Sequence, residues 1–208
     1  MNFPRLTRLT SAAILAVLLA GCAFKAGYDP SYLPASAMKL GIPGKALVVL
    51  EVSEEQRVYK DNPRSFTGGG TTLSLPLGEI TKQVALKVFS ATFADGADFR
   101  NEAVLGADYR LIVQPRVARL DYYYNQLKNL GFAITPQLEM DLSVVMLNGD
   151  GTVLLENTYV SGRSEGDTYV LSGSPQEKVN KLIHLTLFKL MTDAAVDVQK
   201  AMSGTPTG

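Results

Sequence analysis

Residues 136–147 alternate strictly enough to fix one face of the fold. Leu138, Met140, Leu142, Val144 and Met146 are apolar, and Gln137, Glu139, Asp141 and Ser143 stand between them. Successive side chains of a strand point to opposite sides, so this period of two predicts a half-buried strand. Asn148-Gly149-Asp150-Gly151 follows at once. Its residues tolerate positive φ, which predicts a tight turn and an antiparallel return over Thr152 to Val160. The resulting sheet has one strongly apolar face that something else in the chain must cover.

Two helical patterns are available to cover it. Ser174-Pro175-Gln176-Glu177 is a capping box with proline at the first helical position. Val179, Leu182, Ile183, Thr186, Leu187, Leu190, Ala194 and Val198 then form a stripe that reaches about Met202. Upstream, Leu77, Ile80, Val84, Val88 and Ala91 fall at steps of three or four, with Lys82 and Lys87 off that face and Asp95-Gly96 as a stop. Ala46 to Leu50 is apolar at both parities, as a buried central strand requires. Tyr109 to Tyr122 reads as a further strand, with Leu111 and Val113 on one face and Pro115 marking an edge or a bulge. The expected order is β-α-β-β-β-α. The fold class is α+β: a four-stranded, mainly antiparallel sheet with two helices on one face. Residues 61–70 and 161–174 read as loops, and 203–208 as a fraying tail.

The N-terminus carries a different signal. Arg5 and Arg8 precede an apolar run from Ser11 to Ala20. A basic start, a short apolar run and small residues make a secretory signal, and the run is too short to span a bilayer. Leu19-Ala20-Gly21-Cys22 resembles the lipobox of bacterial lipoproteins. That resemblance implies cleavage between Gly21 and Cys22, acylation of Cys22 with palmitate-type chains, and a mature chain that starts there. Two or more acyl chains anchor a protein stably on a membrane. Ala23, where retained lipoproteins of enteric bacteria carry Asp, implies the outer membrane, facing the periplasm, rather than the inner one. Residues 22–44, with Pro30, Pro34, Pro43, Gly27, Gly41 and Gly44, read as a linker that lies over the domain or reaches away from the membrane. Residues 45–202 form a single domain.

Cys22 is the sole cysteine, so the chain forms no internal disulfide. The whole chain has 20 Lys and Arg against 20 Asp and Glu; loss of Arg5 and Arg8 leaves 18 against 20, a net charge of −2. That gives no electrostatic reason to expect nucleic acid as a partner. The element order behind a lipobox is similar to periplasmic α/β lipoproteins of the YajG type, and more distantly to the folded cores of CsgG and the TolB N-terminal domain. The resemblance covers residues 45–202. It implies an envelope assembly or accessory factor with no catalytic site and no cofactor.

Several motifs suggest chemistry. Gly162-Arg163-Ser164-Glu165-Gly166 fits the G-x-S-x-G pattern of serine hydrolases, which needs Ser164 on a tight strand-to-helix turn. Its spacing from the Pro175 helix start and from the single histidine, His184, favours a polar loop. His184 lies beside Lys181 and off the leucine stripe, which predicts a solvent-flanking helix residue. One histidine without a free cysteine supplies no usual zinc set. Phe66 to Thr72, with three glycines, precedes a helix and offers backbone N–H groups to an anion, but lacks a P-loop ending. Asn148 to Gly151 has Tyr159, not Glu, at the twelfth position of a calcium loop. Tyr122, Tyr123 and Tyr124 cannot all face a core on one strand, so with Leu127 they make a candidate partner surface. The expected function is a non-enzymatic accessory lipoprotein. The alternative is a lipid- or glycan-binding module whose groove between sheet and helices is lined by Phe66 and the tyrosines, with hydrolysis by Ser164 kept as a control.

Overall fold

The computed structural model describes residues 23–66, 70–106, 108–126, 133–170 and 175–204. The leader, Gly21, Cys22, Leu127, Ser174 and residues 205–208 lie outside the described residues.

The strands are β1 (Ala23–Lys25), β2 (Ala46–Val49), β3 (Tyr59–Asp61), β4 (Thr72–Leu75), β5 (Ala97–Arg100), β6 (Leu111–Asn125), β7 (Ala133–Asn148), β8 (Val153–Glu165) and β9 (Tyr169–Val170). The helices are a single turn α1 (Val52–Glu55), α2 (Leu77–Thr92) and α3 (Pro175–Met202). The main sheet runs β5-β2-β6-β7-β8, with β9 added against β7. A separate three-stranded sheet runs β1-β4-β3. The α+β class holds, but the four-stranded sheet is too small. β1, β3, β4 and β5 are three or four residues long, too short to show a period, and become strands through their partners.

β2 is parallel to both β5 and β6, with Leu47 opposite Asp98 and Ile112. β6, β7 and β8 form an antiparallel meander, with Val113 opposite Met146 and Tyr122 opposite Leu138. Pro115 sits just past the end of the β2 pairing, where β6 has a neighbour on one side only. The bulge of β6 comes later, between Val117 and Arg119.

α2 and α3 cover the same sheet face. Leu138, Met140, Leu142, Val144 and Met146 are buried in one cluster with Ile80, Val84, Val88, Ile183, Leu187 and Leu190. Each such side chain contributes about 1.5–3 kcal/mol on burial. Most of the opposite face is left open by the helices. At its β2 end the segment after β5 crosses it, and Leu47, Val49, Tyr109 and Ile112 form a second small cluster. Tyr109 donates to Asp98 Oδ2 at 3.1 Å there.

The described part of the 22–44 segment lies on the body. β1 pairs in parallel with β4, Ala23 opposite Thr72. A 3-10 turn over Pro30–Tyr32 is capped by the Asp29 carboxylate, which accepts from Ser31 N at 2.9 Å. Leu33 and Ile42 enter the main core. Ile42 bridges to the end of α2, donating to Thr92 O at 3.0 Å.

Candidate functional site

β3 runs antiparallel to β4, and Asp61 lies opposite Leu73. The loop that joins them therefore leaves from the edge where β1 begins, next to Ala23. The last residues of β6 reach the same pole: Arg64 N donates to Tyr122 O at 2.8 Å, and Tyr124 N donates to Ser65 Oγ at 2.8 Å. The start of the folded body, the 62–66 loop and the tyrosine run thus meet at one end of the molecule.

The tyrosines alternate as strand geometry demands. Tyr122 and Tyr124 point into the core, packed edge to face with centroids 5.8 Å apart. Tyr122 donates to Asp61 O at 3.2 Å, and burial pushes its hydroxyl up to about 12. Tyr123 alone faces the open side of the sheet, half-buried under Arg163, whose guanidinium carbon stands 4.7 Å from the ring centroid. Of the three tyrosines, only Tyr123 is presented on the open face.

Around Tyr123 the open face carries a ladder of charges across three strands. Glu139 on β7 accepts from Arg163 at 2.7 Å and faces Arg119 at 3.4 Å. Arg119 also holds Asp141 at 3.0 Å. Asp121 is held by Arg64 at 2.8 Å. The hydrogen bond that Arg119 donates to Asp141, with the charge of that carboxylate, raises Arg119 above its ordinary range, and Glu139 does the same for Arg163. These cross-strand pairs fix a polar surface with one aromatic ring in it.

The G-x-S-x-G residues do not make a nucleophile elbow. β8 continues through the sequence-expected loop to Glu165, and Ser164 sits in the ladder opposite Leu138. The strand accommodates Gly162 by a bulge, since Ser161 and Gly162 together oppose Met140. Gly162 takes φ of 62°, a left-handed value that favours glycine.

His184 is not solvent-flanking. It is fully buried, because the N-terminal segment covers its face of α3. Its Nδ1 bonds Asn180 O at 2.8 Å and its Nε2 accepts from Asp29 N at 3.2 Å. Both ring nitrogens are therefore engaged and neither is directed to Ser164. His184 stands three and seven residues before the buried Leu187 and Met191, on the flank of the apolar stripe. The cover comes from residues 155 positions away in the chain.

The Phe66 segment leads into β4, not directly into a helix, and Phe66 is fully exposed. The space between sheet and helices is filled by the main core, so Phe66 and the tyrosines do not line a common groove there. Among the described residues no group of three or more His, Cys, Asp or Glu side chains is placed to hold a metal ion, and no helix is long and apolar enough to cross a membrane.

The fold is thus an α+β body with its N-terminal segment strapped to it and one sheet face open. No family model and no curated protein matches the chain. Among solved structures it is similar to a protein of the DUF330 family from Xanthomonas campestris, with a TM-score of 0.56 and 11% identity over 87% of this chain and 97% of that one. It also aligns with a candidate lipoprotein from Caulobacter crescentus CB15 (TM-score 0.35, 13% identity, 63% and 86% covered) and with a minor lipoprotein from Acinetobacter baumannii (0.34, 8%, 74% and 91%). The Xanthomonas structure shares the fold. The other two likenesses are too loose to carry an argument.

Proposed function

We propose that this chain is a lipid-anchored protein of the bacterial cell envelope. It is acylated on Cys22, held at the outer membrane facing the periplasm, and acts as a non-enzymatic accessory factor of an envelope complex. One observation carries the reading. The lipobox Leu19-Ala20-Gly21-Cys22 ends one residue before the first strand, Ala23–Lys25. Cleavage before Cys22 therefore keeps every described strand and helix in the mature chain, and it leaves the acyl chains one residue from a paired strand.

Such an anchor holds the β1 end of the body close to the bilayer. The open face, with Tyr123 and its charge ladder, stands available to a partner. The residues at Ser164 and His184 support no catalytic role, since the first lies in a strand and the second is bonded at both nitrogens. The test is fractionation of cells making the wild type and Cys22→Ser. The wild type should sediment with outer membrane and the variant should leave the membrane. Persistence of the variant on membranes rejects Cys22 as the anchor. Tyr123→Ala should reduce co-purification of an envelope partner while the thermal transition stays unchanged; undiminished co-purification removes Tyr123 from the docking surface.

A further inference from the structure

We propose that His184 is a protonation-sensitive latch that holds residues 27–33 against α3, and that acid opens it. The inference stands apart from acylation and partner binding. It rests on how the ring is held.

Asn180 O can only accept, so the proton of the neutral imidazole sits on Nδ1, at 2.8 Å. Nε2 then carries the lone pair that accepts the Asp29 N–H at 3.2 Å. Tyr28 stacks on the ring with centroids 5.6 Å apart, and Tyr32 meets it edge-on at 5.4 Å. The Asn180 side chain adds a bond from Nδ2 to Gly27 O at 2.9 Å. Leu33 closes the segment by entering the core. A second proton on Nε2 would face the Asp29 N–H donor to donor, in a fully buried place. The bond that pins the centre of the segment would be lost.

The groups around the ring do not all act in one direction. The bond to Asn180 O and, more weakly, the Asp29 carboxylate favour an imidazolium, though that carboxylate is engaged with Ser31 N. The Tyr28 and Tyr32 hydroxyls are held up by burial first, then by the negative charges of Asp29 and Glu79 on Tyr28 and of Glu177 and Asp29 on Tyr32. Burial outweighs these charges, and His184 titrates below its ordinary value. The closed segment therefore requires the neutral ring. Docking is complete above the ordinary histidine value of about 6.5 and weakens as pH falls toward the closed-state value. The open fraction should rise about tenfold per pH unit across that window.

His184 is the only histidine, so its imidazole gives one set of nitrogen resonances. The full-length chain in detergent is followed by NMR from pH 7.5 to 5. At pH 7.5 the ring should be the Nδ1–H tautomer. The exchange protection of the Asp29 amide, corrected for intrinsic rate, should fall about tenfold per pH unit below about 6.5. Amides of β7 and of the middle of α3 should keep theirs. In His184→Gln, which does not titrate, the Asp29 amide should show no such fall. Should that variant not fold, the wild type alone decides, because loss of Asp29 protection must track the imidazole titration while the core stays protected. Protonation of His184 with Asp29 protection unchanged overturns the latch, as does the same fall in the glutamine variant or an Nε2–H tautomer at pH 7.5.

Discussion

Gly78 stands in the first turn of α2, where alanine is ordinarily the better helix former by up to about 1 kcal/mol. The fold reverses that expectation. A Cβ at this position would run into the carbonyl oxygens of Glu54 and Glu55, at the end of α1. These are backbone atoms, so no rotamer change relieves the contact. Either α1 or the start of α2 must move, which strains the bond from Gly78 N to Arg57 O at 3.0 Å and the Lys82–Glu55 pair at 2.8 Å. Overpacking of this kind costs about 1–3 kcal/mol, and a weakened backbone bond adds about 1 kcal/mol. Set against the propensity gain, Gly78→Ala should destabilise by about 1–3 kcal/mol. For a chain of this length that is a fall in Tm of about 2–12 °C. Gly27→Ala is the control, since Gly27 has open space at its Cβ position and no left-handed φ; it should leave Tm unchanged or slightly raised. Thermal unfolding followed by circular dichroism reads both. A Gly78→Ala variant as stable as the wild type, or more stable, refutes the close approach of α1 to α2.

Leu142 on β7 is fully buried beneath the helices, and Leu142→Ala should cost about 2–5 kcal/mol, read as a lower urea midpoint. A loss below 1 kcal/mol would mean that the helices do not cover that face. Tyr159→Phe removes the bond from the hydroxyl to Asp197 Oδ2 at 3.1 Å that ties β8 to α3, and should cost about 1 kcal/mol. Burial and then Asp197 hold this hydroxyl above its ordinary value, so its contribution should be constant from pH 6 to 9; a loss within that range would contradict the assignment.

Much of the frame could be read from the residues. The five apolar residues of the 136–147 alternation are the helix-facing side of β7, and every residue of the stripe from Val179 to Val198 is buried on α3; Gln137, Asn180, His184, Met191 and Ala195 are buried beside them without belonging to either apolar pattern. Strong periods survive because they are long, and Asn148-Gly149-Asp150-Gly151 forms the β7–β8 turn. The misses have a common cause in tertiary pairing. Ala97–Arg100 is a short, half-exposed segment that becomes β5 only by lying parallel to β2. Ser161 to Glu165 looks polar because β8 is an edge strand with an open face, so polarity there did not mean loop. His184 is buried by cover that arrives from residues 28–32, which the sequence of α3 does not contain. For the tyrosine run, alternation says only that the three rings cannot all face the core; the partner strands reveal that Tyr123 is the one that faces away and that Arg163 covers it.

The N-terminal peptide of the protein recovered from native membranes tests the central claim most directly. Mass spectrometry should find a chain that starts at Cys22, with the sulfur carrying a diacylglycerol and the terminal amine blocked by an acyl group. A chain that retains residues 1–21, or that starts at Cys22 with a free thiol, would contradict it.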